Sequence, residues 1–390
     1  MNEVKTSEGS KKNEQEVFIT DITIHKVRHL ENIHIPLSKD ERKHLILTGK
    51  NGSGKTSVLE SLINRLTKIF KGSLIIGEIP DEPVDAERDI SILFTLAEKI
   101  HEYINSGHFI ISNYRARRQS EMRTPKGLSK VNLLDRYYLP DRPGKEFIQY
   151  IVNLKAEKSF SREENDLEAV KNIESWFDMF EKTLKEIFED PTLRLEFDRK
   201  NYNFKILQKD KEPFDFNTLA DGYSAFINIV TDLILRMQKH WTKSYDVQGV
   251  VLIDELETHL HIDLQKKVFP FLTRFFPRIQ FIVTTHSPFI LNSIADAVIY
   301  DLENRLMVED LSGYSYDGIV ESYFDRDKYS EIIKNKLEKY EQLVAQTQRT
   351  EEEEEHMIEL RWYLKEIPAS LARELKAKFQ QVELNRKGKR

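Results

Sequence analysis

The 390-residue chain contains no cysteine. That removes disulfides, thiolate nucleophiles and thiolate metal sites, and it fits a reducing compartment. Any metal would have to be held by oxygen or imidazole. There is also no excess of base: 59 Lys and Arg face 65 Asp and Glu, a formal charge of −6, which is not the balance of a chain whose main business is nucleic-acid binding. Long apolar runs are missing as well, since no stretch approaches the roughly 18–20 residues of a membrane span. The opening MNEVKTSEGSKKNEQEV is polar and lacks the apolar core of a signal peptide. These absences lead us to expect a cytoplasmic protein without a membrane partner, led in by a disordered segment over 1–16.

What is present is an α/β pattern. Phe18 to Ile24 and Ile33 to Pro36 read as a strand hairpin, and His44 to Leu47 as an apolar strand running into glycines. Val58, Leu59, Leu62, Ile63, Leu66 and Phe70 then recur at helical spacing. His108 to Ser112 reads as a strand, followed by the basic run Tyr114-Arg115-Ala116-Arg117-Arg118, whose arginines could simply be solvated. Residues 145–190 are a short helical insertion with an expected break near Ser159 to Arg162, and Leu193 to Asp198 with Asn203 to Leu207 suggest a second hairpin. A helix striped by Phe226, Ile229, Val230, Leu233, Ile234 and Met237 follows. Val250 to Ile253 and Phe281 to Val283 are unbroken apolar runs, separated by a helix from about Ile262 to Phe276 that Pro270 should kink. Strand, helix, strand at this spacing implies parallel neighbours, with ligands at the strands' carboxyl ends. We place the main domain at 17–310 and a helical extension at 311–390, expected as a hairpin broken near Pro368 and ending in basic Lys387, Lys389 and Arg390.

Three segments carry chemistry. GKNGSGKTS, residues 49–57, satisfies G-x-x-x-x-G-K-[ST] through Gly49, Gly54, Lys55 and Thr56, between a strand and a helix. In such a loop, with Asn51, Gly52, Ser53 and Ser57, backbone N–H groups approach phosphate oxygens, Lys55 reaches the outer phosphates and the Thr56 hydroxyl binds Mg²⁺. Asp254 and Glu255 end a buried strand, where an unpaired carboxylate would cost several kcal/mol. A Mg²⁺ held by Asp254, with Glu255 orienting or deprotonating the attacking water, would compensate them. TTHSP puts His286 one strand further on, where an imidazole could donate to a γ-phosphate. His259 and His261 could suggest a metal pair, but with no third ligand in view loop or interface contact is the better reading.

Taken in order, these segments resemble the ATP-binding-cassette ATPase heads: phosphate loop Gly49 to Thr56, signature Leu219 to Tyr223, Walker B Val250 to Glu255, D-loop Glu257 to His261 and switch His286. The similarity is to the soluble branch that includes SMC-like repair proteins and bacterial anti-phage ATPases. The DELETHLH wording and the short insertion look most like the ATPase subunits of Septu-type defence systems. The resemblance implies a P-loop NTPase fold with an ABC-type head, a short helical insertion and a C-terminal helical hairpin. It also implies ATP and Mg²⁺ as cofactors, and heads that pair as homodimers or higher oligomers around ATP. An effector of nuclease type encoded nearby, and DNA or a phage component as trigger, would be its partners. The signature of such a head meets a nucleotide held by the opposite protomer, through Ala220, Asp221, Gly222 and Tyr223. This signature departs from the usual LSGGQ by Ala220 for serine, Asp221 for glycine and Tyr223 for glutamine. A carboxylate beside phosphate is unfavourable unless turned away, so Asp221 is expected to cap the helix or meet the other subunit. Asn113 or Gln119 could serve as the Q-loop residue.

Two rival readings come from other classes. A DNA-repair clamp would use Arg115, Arg117, Arg118, Arg123 and Lys126 as a basic strip, against which stand the acidic balance and the absence of a long arm. A single-chain nuclease would need more than Asp325-x-Asp327 in a helical tail.

Overall fold

The computed structural model describes residues 16–72, 89–118, 122–240, 245, 247–308, 310–319, 331–346, 348–367 and 373–388. The segment expected to be disordered, save Glu16, and also Gln119, Asp325, Asp327, Pro368, Lys389 and Arg390 lie outside the described residues. The chain divides into two compact units, Met1–Gly313 and Tyr314–Arg390.

The first unit is built on a six-stranded sheet. Alternating apolar residues put β1 (Ile19–Val27) and β2 (Leu30–Pro36) into an antiparallel pair, and β4 (Ile90–Phe94) adds to β1 on the other side. The unbroken apolar runs go elsewhere, as strands buried on both faces must. β3 (His44–Thr48), β5 (Phe109–Tyr114), β8 (Gln248–Ile253), β9 (Ile279–Thr284) and β10 (Ala297–Asp301) form the parallel body of the large sheet, in the order β10-β3-β9-β8-β5. The short β11 (Leu306–Val308) closes one edge antiparallel to β10. β9 therefore separates the strand that feeds the phosphate loop from the strand that ends in Asp254. The expected parallel relation of the two apolar runs holds, with Val251 opposite Phe281 and Leu252 opposite Ile282. β6 (Arg194–Asp198) and β7 (Asn203–Leu207) form the second hairpin.

Helices cover the sheet. α1 (Lys55–Phe70) buries Val58, Leu59, Leu62, Leu66 and Phe70 of the stripe read from spacing, while Ile63 is only half-buried and Ile69, outside that reading, is buried as well. α2 (Ile100–Asn105) is short; α3 (Phe147–Glu163) and α4 (Leu167–Phe188) make the insertion. Their break differs from expectation: α3 continues through Ser159 to Arg162, and the chain turns only at Glu164 to Asp166. There Asn165 takes a left-handed φ of 60° and the Asp166 carboxylate accepts from the Ala169 amide, capping α4. α5 (Asp221–Met237) and α6 (Ile262–Phe275) complete the layers, and α6 accommodates Pro270 within its length. α7 (Pro288–Leu291) is a single turn after β9.

Two buried glutamines bind the antiparallel sheet to the parallel one. Gln280, fully buried on β9, accepts from the Ile19 amide at 2.7 Å and donates to the carbonyls of Ile19 at 2.9 Å and Lys43 at 2.7 Å. Gln248 on β8 accepts from the Val17 amide at 2.7 Å. A strand mostly read as apolar thus carries the polar side chain that satisfies another strand's edge.

In the second unit, α8 (Tyr316–Gly318) is one turn, followed by α9 (Glu331–Ala345), α10 (Glu351–Glu366) and α11 (Arg373–Gly388). The expected two-helix hairpin is a three-helix cluster, because Leu337, Tyr340, Leu343, Met357, Leu360, Leu364, Phe379 and Val382 pack into one core. The acid run Glu351 to Glu354 forms the first turn of α10, where a helix N-terminus favours negative charge, and Thr350 with Glu353 closes a capping box. Glu383 gathers Tyr340, Arg361 and Arg386, with the Arg361 Nη2 at 2.9 Å. Burial works to raise its pKa, but hydrogen bonds from Arg361, Tyr340 and Arg386 outweigh that and hold the carboxyl at about 2, down from 4.5.

Two outcomes follow. Gln280→Leu leaves the Ile19 N–H and C=O unpaired in a dry site and should lower unfolding free energy by about 2–4 kcal/mol, read by urea denaturation. Because the folded pKa of Glu383 is depressed, its stabilisation is complete above pH 4.5 and fades as pH falls towards 2. Thermal melts of the full chain should therefore lose a transition shift in that window that Glu383→Gln abolishes.

Candidate functional site

The site is assembled where β3, β8 and β9 end. The loop after β3 turns through Gly49 and Gly54, with φ of 133° and 97°. A side chain at Gly49 would strain that backbone and bring its Cβ to 2.8 Å from the Ser53 hydroxyl. Gly54 is the N-cap of α1. Asn51 and Gly52 are exposed, Ser53 is buried, Ser57 is half-buried and Thr56 is exposed on the first turn of the helix. Lys55 folds back over the loop: its Nζ donates to the Gly49 carbonyl at 2.9 Å and the Lys50 carbonyl at 3.0 Å. Burial lowers its pKa, opposed by the carboxylates of Glu255, Glu257, Asp254 and Asp301.

Asp254 is not the orphan that its position in the sequence suggested. Thr284 Oγ1 on β9 donates to Asp254 Oδ1 at 2.7 Å, and Thr56 Oγ1 lies 3.3 Å from both carboxylate oxygens. The phosphate-loop hydroxyl and the strand-end carboxylate, 198 residues apart in the chain, are thereby brought together. These are oxygen donors of the type a hard divalent cation takes, so the residues present fit Mg²⁺.

Glu255 occupies a left-handed backbone conformation, φ 45°, in which a non-glycine residue costs about 1 kcal/mol or more. The surrounding bonds enforce it. Its N–H donates to Thr284 Oγ1 at 2.7 Å, and its Oε2 accepts from Thr258 Oγ1 at 3.0 Å. The left-handed residue follows Asp254 directly, just past the end of β8, and its carboxylate is half-buried.

Several residues that hold this turn were named from the sequence without that role. Arg118, which closes the basic run, is buried rather than solvated and donates to the carbonyls of Asp254 at 3.2 Å and Glu255 at 2.9 Å. Burial pulls its pKa down to about 10 against the opposing carboxylates of Glu257, Asp254 and Glu255. Arg115 and Arg117 are exposed, as a solvated run should be. Glu257 accepts from the His286 amide at 2.6 Å and from Thr285 Oγ1 at 2.7 Å, tying the D-loop to the switch segment. His286 itself is half-buried at the end of β9. Only the apolar-run-then-threonine pattern of FIVTTHS hinted at the two threonines. Asn113, a Q-loop candidate, is buried on β5 opposite Leu252, and with Thr56, Tyr114 and Asp254 it lines a cleft of about 720 Å³ beside the phosphate loop.

The signature lies apart from these groups: among the described residues no hydrogen bond joins Ala220 to Tyr223 with Gly49 to Ser57. The N-cap of α5 is Ala220, and no side chain caps it, so Asp221 is the exposed first helical residue and not the cap, the first of the two roles expected of it. Gly222 is required by its own chain, since a Cβ there would lie 2.6 Å from the His259 carbonyl oxygen in the D-loop. Tyr223 stacks on Phe188 at 4.4 Å between ring centroids, which gives the tyrosine an intramolecular reason. His259 is exposed with φ 66°, and His261 is exposed with Nδ1 3.6 Å from Asp263.

The model of a domain family described as "AAA domain, putative AbiEii toxin, Type IV TA system" matches residues 98–292, half of the chain, from α2 to α7. Over 337 residues the chain is 26% identical to "Septu protein PtuA" of Bacillus mycoides (strain KBAB4), covering 79% of this chain and 44% of that protein. It is 29% identical over 164 residues to "Retron Ec83 probable ATPase" of Escherichia coli, covering 39% of this chain and 28% of the relative. The chain thus spans less than half the length of the curated relatives it matches. Among solved structures it is similar to the "SMC head domain from Thermotoga maritima", with a TM-score of 0.37 at 12% identity over 73% of this chain and 94% of that one. With a family model matching half of it, and a parallel sheet that brings phosphate loop and strand-end carboxylate together, the chain belongs to the AAA-domain family as an ATPase head resembling those of Septu systems.

Proposed function

We propose that this protein is a Mg²⁺-dependent ATPase subunit of a bacterial anti-phage defence complex, and that pairing of its heads around ATP controls a partner effector of nuclease type. The observation that carries the ATPase reading is the convergence of Thr56, at the start of α1, with Asp254 and Glu255, which follow β8, beside Thr284 at the end of β9. The resemblance to the Septu and retron proteins supports the defence role.

The chain's own groups would divide the work as follows. The loop from Gly49 to Ser57 presents backbone N–H groups and the start of α1 to the phosphates. Lys55, held by two loop carbonyls, exchanges those partners for the outer phosphate oxygens. Thr56 and Asp254 would hold Mg²⁺, which when bound neutralises charge on the phosphates. Glu255, left-handed in its backbone just past the strand and anchored through Thr258, orients the attacking water and takes its proton at the carboxylate. His286 donates towards the γ-phosphate, and Glu257 fixes its backbone. Ala220 to Tyr223 face the nucleotide of a second copy, with Gly222 keeping the signature against the D-loop. In the same reading the main domain spans 17–310, and the helical extension over 311–390 is the docking or oligomerisation surface.

Glu255→Gln should retain ATP affinity within about twofold while slowing turnover by about 10²–10⁴. Phosphate release near the native rate by that variant would remove Glu255 from the role. Asp221→Arg should leave ATP binding by the single head intact and abolish ATP-driven pairing in size-exclusion light scattering; pairing that survives would mean the exposed acid lies outside the head interface.

A further inference from the structure

The segment Tyr114 to Arg118 walls two cavities. One is the cleft with Thr56 and Asp254; the other, of about 680 Å³, is lined by Arg115, Arg117, Arg118, Arg142, Lys145 and His259, and by no residue of the phosphate loop. The carboxylate lining this second cavity is Asp232, and it is already engaged by the Tyr114 hydroxyl at 2.8 Å, the Gly144 amide at 3.0 Å and Arg236 Nε at 2.8 Å. Among the described residues that line the cavity, no carboxylate is left to pair with Arg115 or Arg117. Arg115 and Arg117 are exposed and have no hydrogen-bond or ion-pair partner among the described residues. Arg118 is only 6% exposed, and its buried Nε has no partner although its terminal nitrogens hold backbone carbonyls. Arg142 is oriented by the Leu139 and Asp141 carbonyls.

The chemistry is that of a phosphate site. Guanidinium groups match phosphate oxygens in geometry and charge. The cavity presents no open aromatic face for a base, because Tyr114 is buried and its hydroxyl is used. Its volume suits a nucleotide-sized ligand or a few residues of a single strand, not a duplex.

We propose that this cavity is a second phosphate-binding site, separate from the phosphate loop, that takes the phosphates of a nucleotide-sized compound or a short single strand without reading bases. Arg118 belongs both to this cavity and to the turn that carries Asp254 and Glu255, so an occupant would lie one side chain from the hydrolytic groups.

The test uses full-length Lys55→Ala protein without ATP, so that the phosphate loop is disabled. Binding of a labelled single-stranded DNA of roughly ten nucleotides is followed by anisotropy, and pyrophosphate binding by calorimetry, at low salt. The added pair Arg117→Glu and Lys145→Glu should weaken the probe that binds by tenfold or more. Lys209→Glu, exposed on a hairpin outside the cavity, should change it by less than about threefold. Both cavity positions are exposed, and circular dichroism with the milder Arg117→Gln and Lys145→Gln pair, expected to give an intermediate loss, guards against misfolding. Oligonucleotide binding displaced by pyrophosphate identifies a strand as the source of the phosphate; pyrophosphate binding alone identifies a free compound. If neither probe binds, or if cavity and hairpin charge reversals act alike, the site does not exist. Failure of wild-type protein to bind ATP would instead sink the ATPase reading and leave this result standing.

Discussion

The Asp254 carboxylate at the end of β8 is held from two sides, by Thr284 on β9 and by Thr56 at the start of α1. Much of the first unit is arranged to make that meeting happen. β9 must lie between β3 and β8 for Thr284 to reach it, and β3 must deliver the phosphate loop at the same sheet edge. A carboxylate in that position carries a desolvation cost, so it persists only with donors supplied by its neighbours. The hydroxyls do this without cancelling the charge, which leaves Asp254 able to serve a cation.

From that point the turn is stiffened outwards. Arg118 clamps the carbonyls behind Asp254 and Glu255, and Glu257 fastens the D-loop to the segment bearing His286. Gly222 then brings the start of α5 against the His259 carbonyl. Signature, D-loop and switch segment thus form one connected surface, through which a change at the strand ends would be felt by whatever meets the exposed Ala220 and Asp221. Packed, hydrogen-bonded elements shift between discrete arrangements, which suits the proposed pairing of heads around ATP.

Much of the fold was legible because its signals are local. Apolar runs bounded by polar turns marked β3, β8 and β9, and helical spacing marked α1 and α5. The insertion break was misplaced because Ser159 to Arg162 looked like a polar interruption, whereas the decisive residues were Asn165, which tolerates a left-handed turn, and Asp166, which caps. The tail read as a hairpin because α11 is weakly patterned; its third-helix role depends on Phe379 and Val382 meeting residues of α9 and α10. Asp221 was expected to cap the helix or meet the other subunit; Ala220 holds the cap position, which removes the first of these.

The sequence alone determined the order of the segments, the phosphate loop between strand and helix, and the strand-end acid pair, since each of these is written within a few consecutive residues. Only the tertiary structure decided what compensates Asp254, why Arg118 is buried, which backbone Gly222 must approach and that Tyr223 stacks on Phe188. Those partners are distant in the chain, 136 residues in the case of Arg118 and Asp254. Hydrogen bonds and close approaches of that kind leave no period or spacing to read; they exist only once the parallel sheet has set the strands side by side.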